Sequence, residues 1–195
     1  MSAAPRRKIL LVEDEALIAM SERMILEQNG YDVTVAHSGP AAIEVFAEDQ
    51  DIDLVLMDID LGSGMDGTEA AQAILADGEV PVVFLSSHTE PEIVAKTEKI
   101  TSYGYTVKSS GETVLLASIK MAFRLFEARV SERHALQRLN HSQDLMRYVI
   151  AHARSAIAVH DRNLNYLYVS EEYLRAFDVE LPAVIGRHHY EVFPD

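Results

Sequence analysis

The stretch Asp51-Ile52-Asp53-Leu54-Val55-Leu56-Met57-Asp58-Ile59-Asp60-Leu61 decides how the rest of the chain reads. Its apolar run, Leu54 to Met57, ends in the acid Asp58, and a Gly-rich loop follows, Leu61-Gly62-Ser63-Gly64-Met65-Asp66-Gly67. A short apolar run bounded by turn residues is the pattern of a strand buried on both faces. Ligands of open α/β sheets bind at the carboxyl ends of such strands. Asp58 is therefore a candidate nucleophile or metal ligand.

Working outward, the same unit repeats. Lys8 to Val12 reads as a strand ending in Glu13-Asp14-Glu15, and Tyr31 to Ala36 as a second. The third is Asp53 to Met57. Pro81 to Leu85 is a fourth, ending in Ser86-Ser87-His88, and Tyr103 to Val107 a fifth, ending in Lys108. Helices are expected between them: Ala16 to Asn29, with Leu17, Ile18, Met24, Ile25 and Leu26 at helical spacing; Pro40 to Glu48, with Ser38 or Gly39 near its start; Gly67 to Ala76, with Thr68 as cap; and Glu90 to Ile100. Strands alternating with helices predict an α/β fold, a doubly wound five-stranded parallel sheet covered on both faces. In that topology Glu13, Asp14, Asp58, Ser86 and Lys108 converge on one edge. Clustered carboxylates repel, and an all-oxygen site with water access favours Mg²⁺. A carboxylate beside Mg²⁺ and a lysine can attack phosphorus to give an acyl phosphate.

Composition narrows the alternatives. Of 195 residues, none is cysteine, which excludes disulfides, thiolate catalysis and Cys-based zinc sites. The net charge is −14. Residues 1–127 hold 9 Lys/Arg against 22 Asp/Glu, and residues 128–195 hold 8 against 9, so a boundary is expected near residue 128. An acidic surface argues against nucleic-acid binding. No apolar run approaches the about 20 residues of a membrane span, and the basic start Met1 to Lys8 is not a signal peptide. A soluble cytoplasmic protein without nucleic-acid or membrane partners is the expectation.

The residues from about Lys8 to Phe126 closely resemble the receiver domain of two-component response regulators. That resemblance implies a flavodoxin-like fold, Asp58 as phospho-acceptor, and Glu13 and Asp14 as a metal-binding acidic pair with the Asp60 main-chain carbonyl as a further Mg²⁺ ligand. It implies Ser86 as the hydroxyl residue of the site, Ser86 and Tyr105 as switch residues, and Lys108 as the cation that neutralises the phosphoryl group. A sensor histidine kinase or phosphotransfer protein would be the phosphoryl donor, and the chain itself would not be an enzyme. One departure stands out: receivers usually have proline after this lysine, and here Ser109 follows. Met57-Asp58-Ile59-Asp60-Leu61 with Gly64-Met65-Asp66-Gly67 looks especially like receivers attached to PAS-containing sensory histidine kinases.

Gly111 to about Ile150 contains no proline and reads as a last receiver helix running into a helical linker, residues 128–141. Its irregular apolar seam allows a short coiled coil that could pair two chains. Residues 142–195 resemble the first half of a PAS domain: a strand Ala156 to His160, a turn Asp161-Arg162-Asn163, a strand Leu164 to Ser170, a helix Glu171 to Phe177, then Ile185-Gly186-Arg187 and Val192-Phe193-Pro194. The remaining PAS elements are missing, so the chain reads as a fragment or a truncated product, with a hairpin edge that invites dimerisation. Adjacent His188 and His189 would face opposite ways in a strand. The alternative function is the regulatory front of a hybrid sensory histidine kinase whose catalytic domains lie beyond this chain. A phosphatase of the haloacid dehalogenase type, with Asp60 as general acid, is a third reading, but it leaves Glu13 and Asp14 unexplained.

Overall fold

The computed structural model describes residues 6–87, 100 and 103–194. The chain divides into two compact units, Met1–Val130 and Ser131–Asp195.

In the first unit, strands β1 (Lys8–Val12), β2 (Asp32–Ala36), β3 (Leu54–Asp58), β4 (Val82–Ser86) and β5 (Tyr105–Val107) form one sheet in the order β2-β1-β3-β4-β5. Every pair is parallel. This is the flavodoxin-like order, whose reversal point lies between β1 and β3. β3 and β4 are buried at all five positions, as strands covered on both faces must be. Helices α2 (Gly39–Glu48) and α3 (Gly67–Asp77) cover one face, packing Ala42, Phe46, Ala71 and Ile74 on Leu10, Val55 and Phe84. Helix α1 (Ala16–Gln28) and the first turns of helix α4 (Glu112–Ala151) cover the other, with Leu26, Leu115, Ile119 and Phe123 on Leu11, Leu56 and Val83.

Two expectations need correction, and a third lies outside the described residues. The cap of α3 is Asp66, not Thr68: its carboxylate accepts from the Thr68 and Glu69 N–H groups, and the Glu69 side chain accepts from the Asp66 N–H to complete a capping box. In α1 the buried residues are Ala19 and Leu26, whereas Leu17 and Met24 face solvent. Adjacent apolar pairs make the helix apolar over too wide an arc for spacing alone to choose the inner face. The helix expected over Glu90 to Ile100 falls, apart from Ile100, outside the described residues, as does His88.

Helix α4 is unbroken for 40 residues and therefore contains the whole span expected as a linker. In the second unit, β6 (Ala158–His160) and β7 (Tyr166–Val169) pair antiparallel with a bulge. Helices α5 (Glu171–Phe177), α6 (Leu181–Val184) and α7 (His189–Val192) follow. The Ser170 hydroxyl caps α5 by accepting from the Tyr173 N–H and donates to the Ser155 carbonyl. A small core gathers Tyr166, Val169, Tyr173 and Val184. The His pair is not in a strand: His188 makes an isolated bridge to Asn165 and caps α7, which His189 opens. His189 Nδ1 lies 2.7 Å from the Tyr166 hydroxyl, which also meets the Tyr173 hydroxyl at 2.9 Å. No described helix is long and apolar enough to cross a membrane.

Candidate functional site at the carboxyl edge of the sheet

Parallel pairing delivers the strand ends to one edge. β1 ends at Val12, so Glu13 and Asp14 leave the sheet beside β3, whose last residue is Asp58. The register sets Asp58 opposite Leu85, and the next residue of β4 is Ser86. β5 runs directly into a 3-10 turn over Lys108–Ser110, which aims Lys108 back over the edge.

The side chains meet there. The Lys108 ammonium donates to Glu13 Oε2 at 2.5 Å and to Asp58 Oδ2 at 2.7 Å. The other oxygen of Asp58 accepts from the Asp60 N–H at 3.4 Å. Glu13, Asp14 and Asp58 offer carboxylate oxygens that lie within 4.8 Å of one another. Glu13 and Asp58 are buried, and Asp14 is exposed. Burial pushes the Asp58 and Glu13 carboxyls above the usual range, with Lys108 pulling the other way. Burial alone would lower Lys108, but its hydrogen bonds to Asp58 and Glu13 prevail and raise it, so the ammonium stays charged.

Buried carboxylates whose charged form desolvation disfavours mark a site short of positive charge. Three oxygen donors from three carboxylates, one open to solvent, fit a hard divalent cation such as Mg²⁺, which keeps several waters. Asp60 is exposed in the loop after β3. Ser86 is fully buried at the end of β4. Tyr105 is half-buried opposite Phe84 and packs on the core under α2 and α3. Ser109 sits in the 3-10 turn, and no cis peptide bond occurs among the described residues. Lys108 reaches the acids without the proline.

Two residues were missed from the sequence. Gly67 passes so close to β3 that a Cβ there would lie 1.8 Å from the Asp58 carbonyl oxygen, and its N–H donates to the Ile59 carbonyl at 2.9 Å. At Gly67 the requirement is space. Glu22, on α1, turns inward between Ala19 and Leu26, and its Oε2 is buried without a partner among the described residues. Its i, i+3, i+7 spacing with those two was the available signal.

A sheet of this order with three acids and one lysine at its carboxyl edge defines a flavodoxin-like class of carboxylate-centred sites. The chain belongs to the response regulator receiver domain family, whose model matches residues 9–120. It is similar to the transcriptional regulatory protein PdtaR of Mycobacterium tuberculosis, 33% identical over 125 residues, covering 64% of this chain and 60% of the relative. The phyllosphere-induced regulator PhyR of Methylorubrum extorquens is 35% identical over 91 residues, 46% of this chain and 34% of that protein. Among solved structures, the N-terminal domain of a response regulator/sensory box/GGDEF 3-domain protein from Carboxydothermus hydrogenoformans matches with TM-score 0.60 and 48% identity, covering 64% of this chain and 99% of that one. The chain spans at most about 60% of the length of these curated relatives. Membership makes this a phosphorelay signalling domain and removes the phosphatase reading. Both of these curated relatives are regulators by name.

Proposed function

We propose that Asp58 accepts a phosphoryl group from the phosphohistidine of a sensor kinase or phosphotransfer protein. An Asp58 carboxylate oxygen attacks phosphorus, the P–O bond forms as the P–N bond breaks, and the imidazole leaves. The observation that carries this reading is the Lys108 bridge: one ammonium bound at once to Glu13 and to Asp58, beside Asp14. Lys108 keeps Asp58 oriented at rest and takes up charge from the phosphoryl oxygens afterwards. Glu13, Asp14, Asp58 and the Asp60 carbonyl would hold Mg²⁺, which would neutralise charge at the phosphoryl group. The Ser86 hydroxyl donates to a phosphoryl oxygen, and Tyr105, on the face packed by α2 and α3, changes position with it.

The signal then passes along α4 toward the second unit, which we read as the first part of a PAS domain. Support comes from its hairpin, from the helix that follows, and from the relative in which a receiver precedes a sensory box. Leu136, Leu139, Met146 and Val149 are exposed apolar residues on α4 suited to pairing two chains. A hybrid sensory histidine kinase remains the alternative parent.

Intact mass after incubation with acetyl phosphate and Mg²⁺ tests the reading. One phosphoryl adduct is expected, absent without Mg²⁺ and absent in Asp58→Asn. An adduct that persists in Asp58→Asn would refute it.

A further inference from the structure

The amino edge of the sheet, at the far end of β1 from the acid site, carries the opposite charge. Arg6 and Arg7 lead into β1, and Lys120 and Arg124 lie one turn apart on α4. These four line an open cleft of about 480 Å³, with Tyr31 and Phe123 among its walls. They are four of the nine Lys/Arg in residues 1–127, a stretch that holds 22 Asp/Glu. The cleft itself has one acid, Glu127; four cations against one acid give its lining a formal charge of +3 inside a strongly negative unit.

Arg7 is fixed in place. Its guanidinium lies over the Phe123 ring, 4.1 Å from the centroid, and donates to Glu127 Oε1 at 2.5 Å. Phe123 is buried and stacks on Tyr31. One bond to Glu127 leaves the rest of the guanidinium's N–H donors for a guest. The other three cations have little to answer them. Arg6 reaches Asp32 at 3.8 Å, and an exposed pair of that length contributes little. The Lys120 and Arg124 side chains make no ion pair among the described residues, and like charges four apart on a helix repel.

The surroundings select the guest. Past Arg6 the same edge turns acidic, with Asp32, Asp51 and Asp53. A nucleic acid or an anionic membrane would overrun the cleft and meet that field, which reaches about 8 Å at physiological salt. A compact anion stays within the cleft. The cations come as two pairs from two elements, so the matching anion has two groups. We propose that this cleft binds a diphosphate, one phosphoryl group on Arg6 and Arg7 and the other on Lys120 and Arg124. Guanidinium forks fit phosphoryl oxygens, and the lysine adds a point charge. The volume is that of a small-molecule site, with room for the diphosphate to be free or the tail of a nucleoside diphosphate. Either guest would tie the start of β1 to α4.

The test is an amide ¹H–¹⁵N titration of the full chain, without Mg²⁺, using inorganic diphosphate, ADP and sulfate at matched ionic strength. Saturable shifts at residues 6–8, 29–32 and 120–127 are expected for both diphosphates, with clearly weaker binding of sulfate, which has one group instead of two. Tighter binding of ADP would assign the site to a nucleotide, and equal or weaker binding to the free anion. Lys120→Gln and Arg124→Gln should each weaken diphosphate by about tenfold, the usual loss when a charged hydrogen bond is removed. Both side chains are exposed, so the fold should survive. Arg162→Gln removes the same charge from an exposed turn of the second unit and should leave binding unchanged. No saturable shift up to about 10 mM, weaker than any affinity useful for a specific site, would overturn the proposal. So would sulfate binding as well as diphosphate, or Arg162→Gln weakening diphosphate as much as Arg124→Gln. None of these readouts uses Asp58, so this proposal and the receiver chemistry fail separately.

Discussion

The two units meet the same physical demand with different means. The first builds a five-stranded sheet with an apolar core on each face. The second has a two-stranded sheet and one core of four buried residues, two of them tyrosines whose hydroxyls bond each other. A lone hairpin is marginal, and below a certain core size polar networks and caps carry a larger share of stability. The first unit can therefore tolerate a costly feature, such as a buried acid cluster at its edge, that the second could not.

The charge distribution sharpens the contrast. Residues 1–127 hold a large acidic excess and residues 128–195 nearly none, so pH and ionic strength should act mainly on the first unit.

Four substitutions separate the units. Gly67→Ala should have the largest effect, about 3 kcal/mol or more, because the added Cβ meets the Asp58 carbonyl and backbone must move. Urea unfolding should lose the first unit's transition first; a near-wild-type midpoint would mean the approach is not tight. Glu22→Gln should come next, and with a pH signature. Burial raises the Glu22 carboxyl to about 7, so the folded chain holds a proton that the unfolded chain has lost. Stability should fall as pH rises from the unfolded value toward 7. Gln has no proton to lose, so the variant should match wild type near pH 4 and exceed it at pH 8 by on the order of 2 kcal/mol after allowance for solvent screening. A constant difference across that range would contradict the buried acid.

In the second unit, Tyr166→Phe removes one hydroxyl and leaves Tyr173 and His189 each short of a partner. A loss of about 1.5 kcal/mol is expected there, read by the ring resonances of Tyr173 while the first unit's melting stays put. Co-movement of both would show that the units unfold as one. Asp66→Ala should be the smallest, about 1 kcal/mol for the lost cap, and amide exchange should quicken only in the first turn of α3.

Legibility in the sequence follows the same division. The strands of the first unit were readable because runs such as Leu54 to Met57 are apolar throughout and stop at an acid. Parallel topology then brought Glu13, Asp58 and Lys108 together, as the Lys108 contacts record. What spacing did not reveal was direction. In α1 both Leu17 and Ile18 fit the periodicity, and only packing on the sheet decides that Leu17 is outside while Glu22 is inside. At α3, Thr68 and Asp66 are both capping types, and the reciprocal bond from Glu69 selects Asp66. In the second unit, Gly186 with φ +80 and the one-residue bridge at His188 lead into a short helix that His189 opens. Short elements with few apolar residues carry little periodic signal.

The Lys108 bridge has a consequence for electroneutrality. Three carboxylates and one ammonium leave the edge with a formal charge of −2, the complement of one divalent ion. A single monovalent ion leaves the edge still negative, and two would have to crowd into the space of one. By filling one unit of a threefold deficit, the lysine leaves the edge complementary to a double charge.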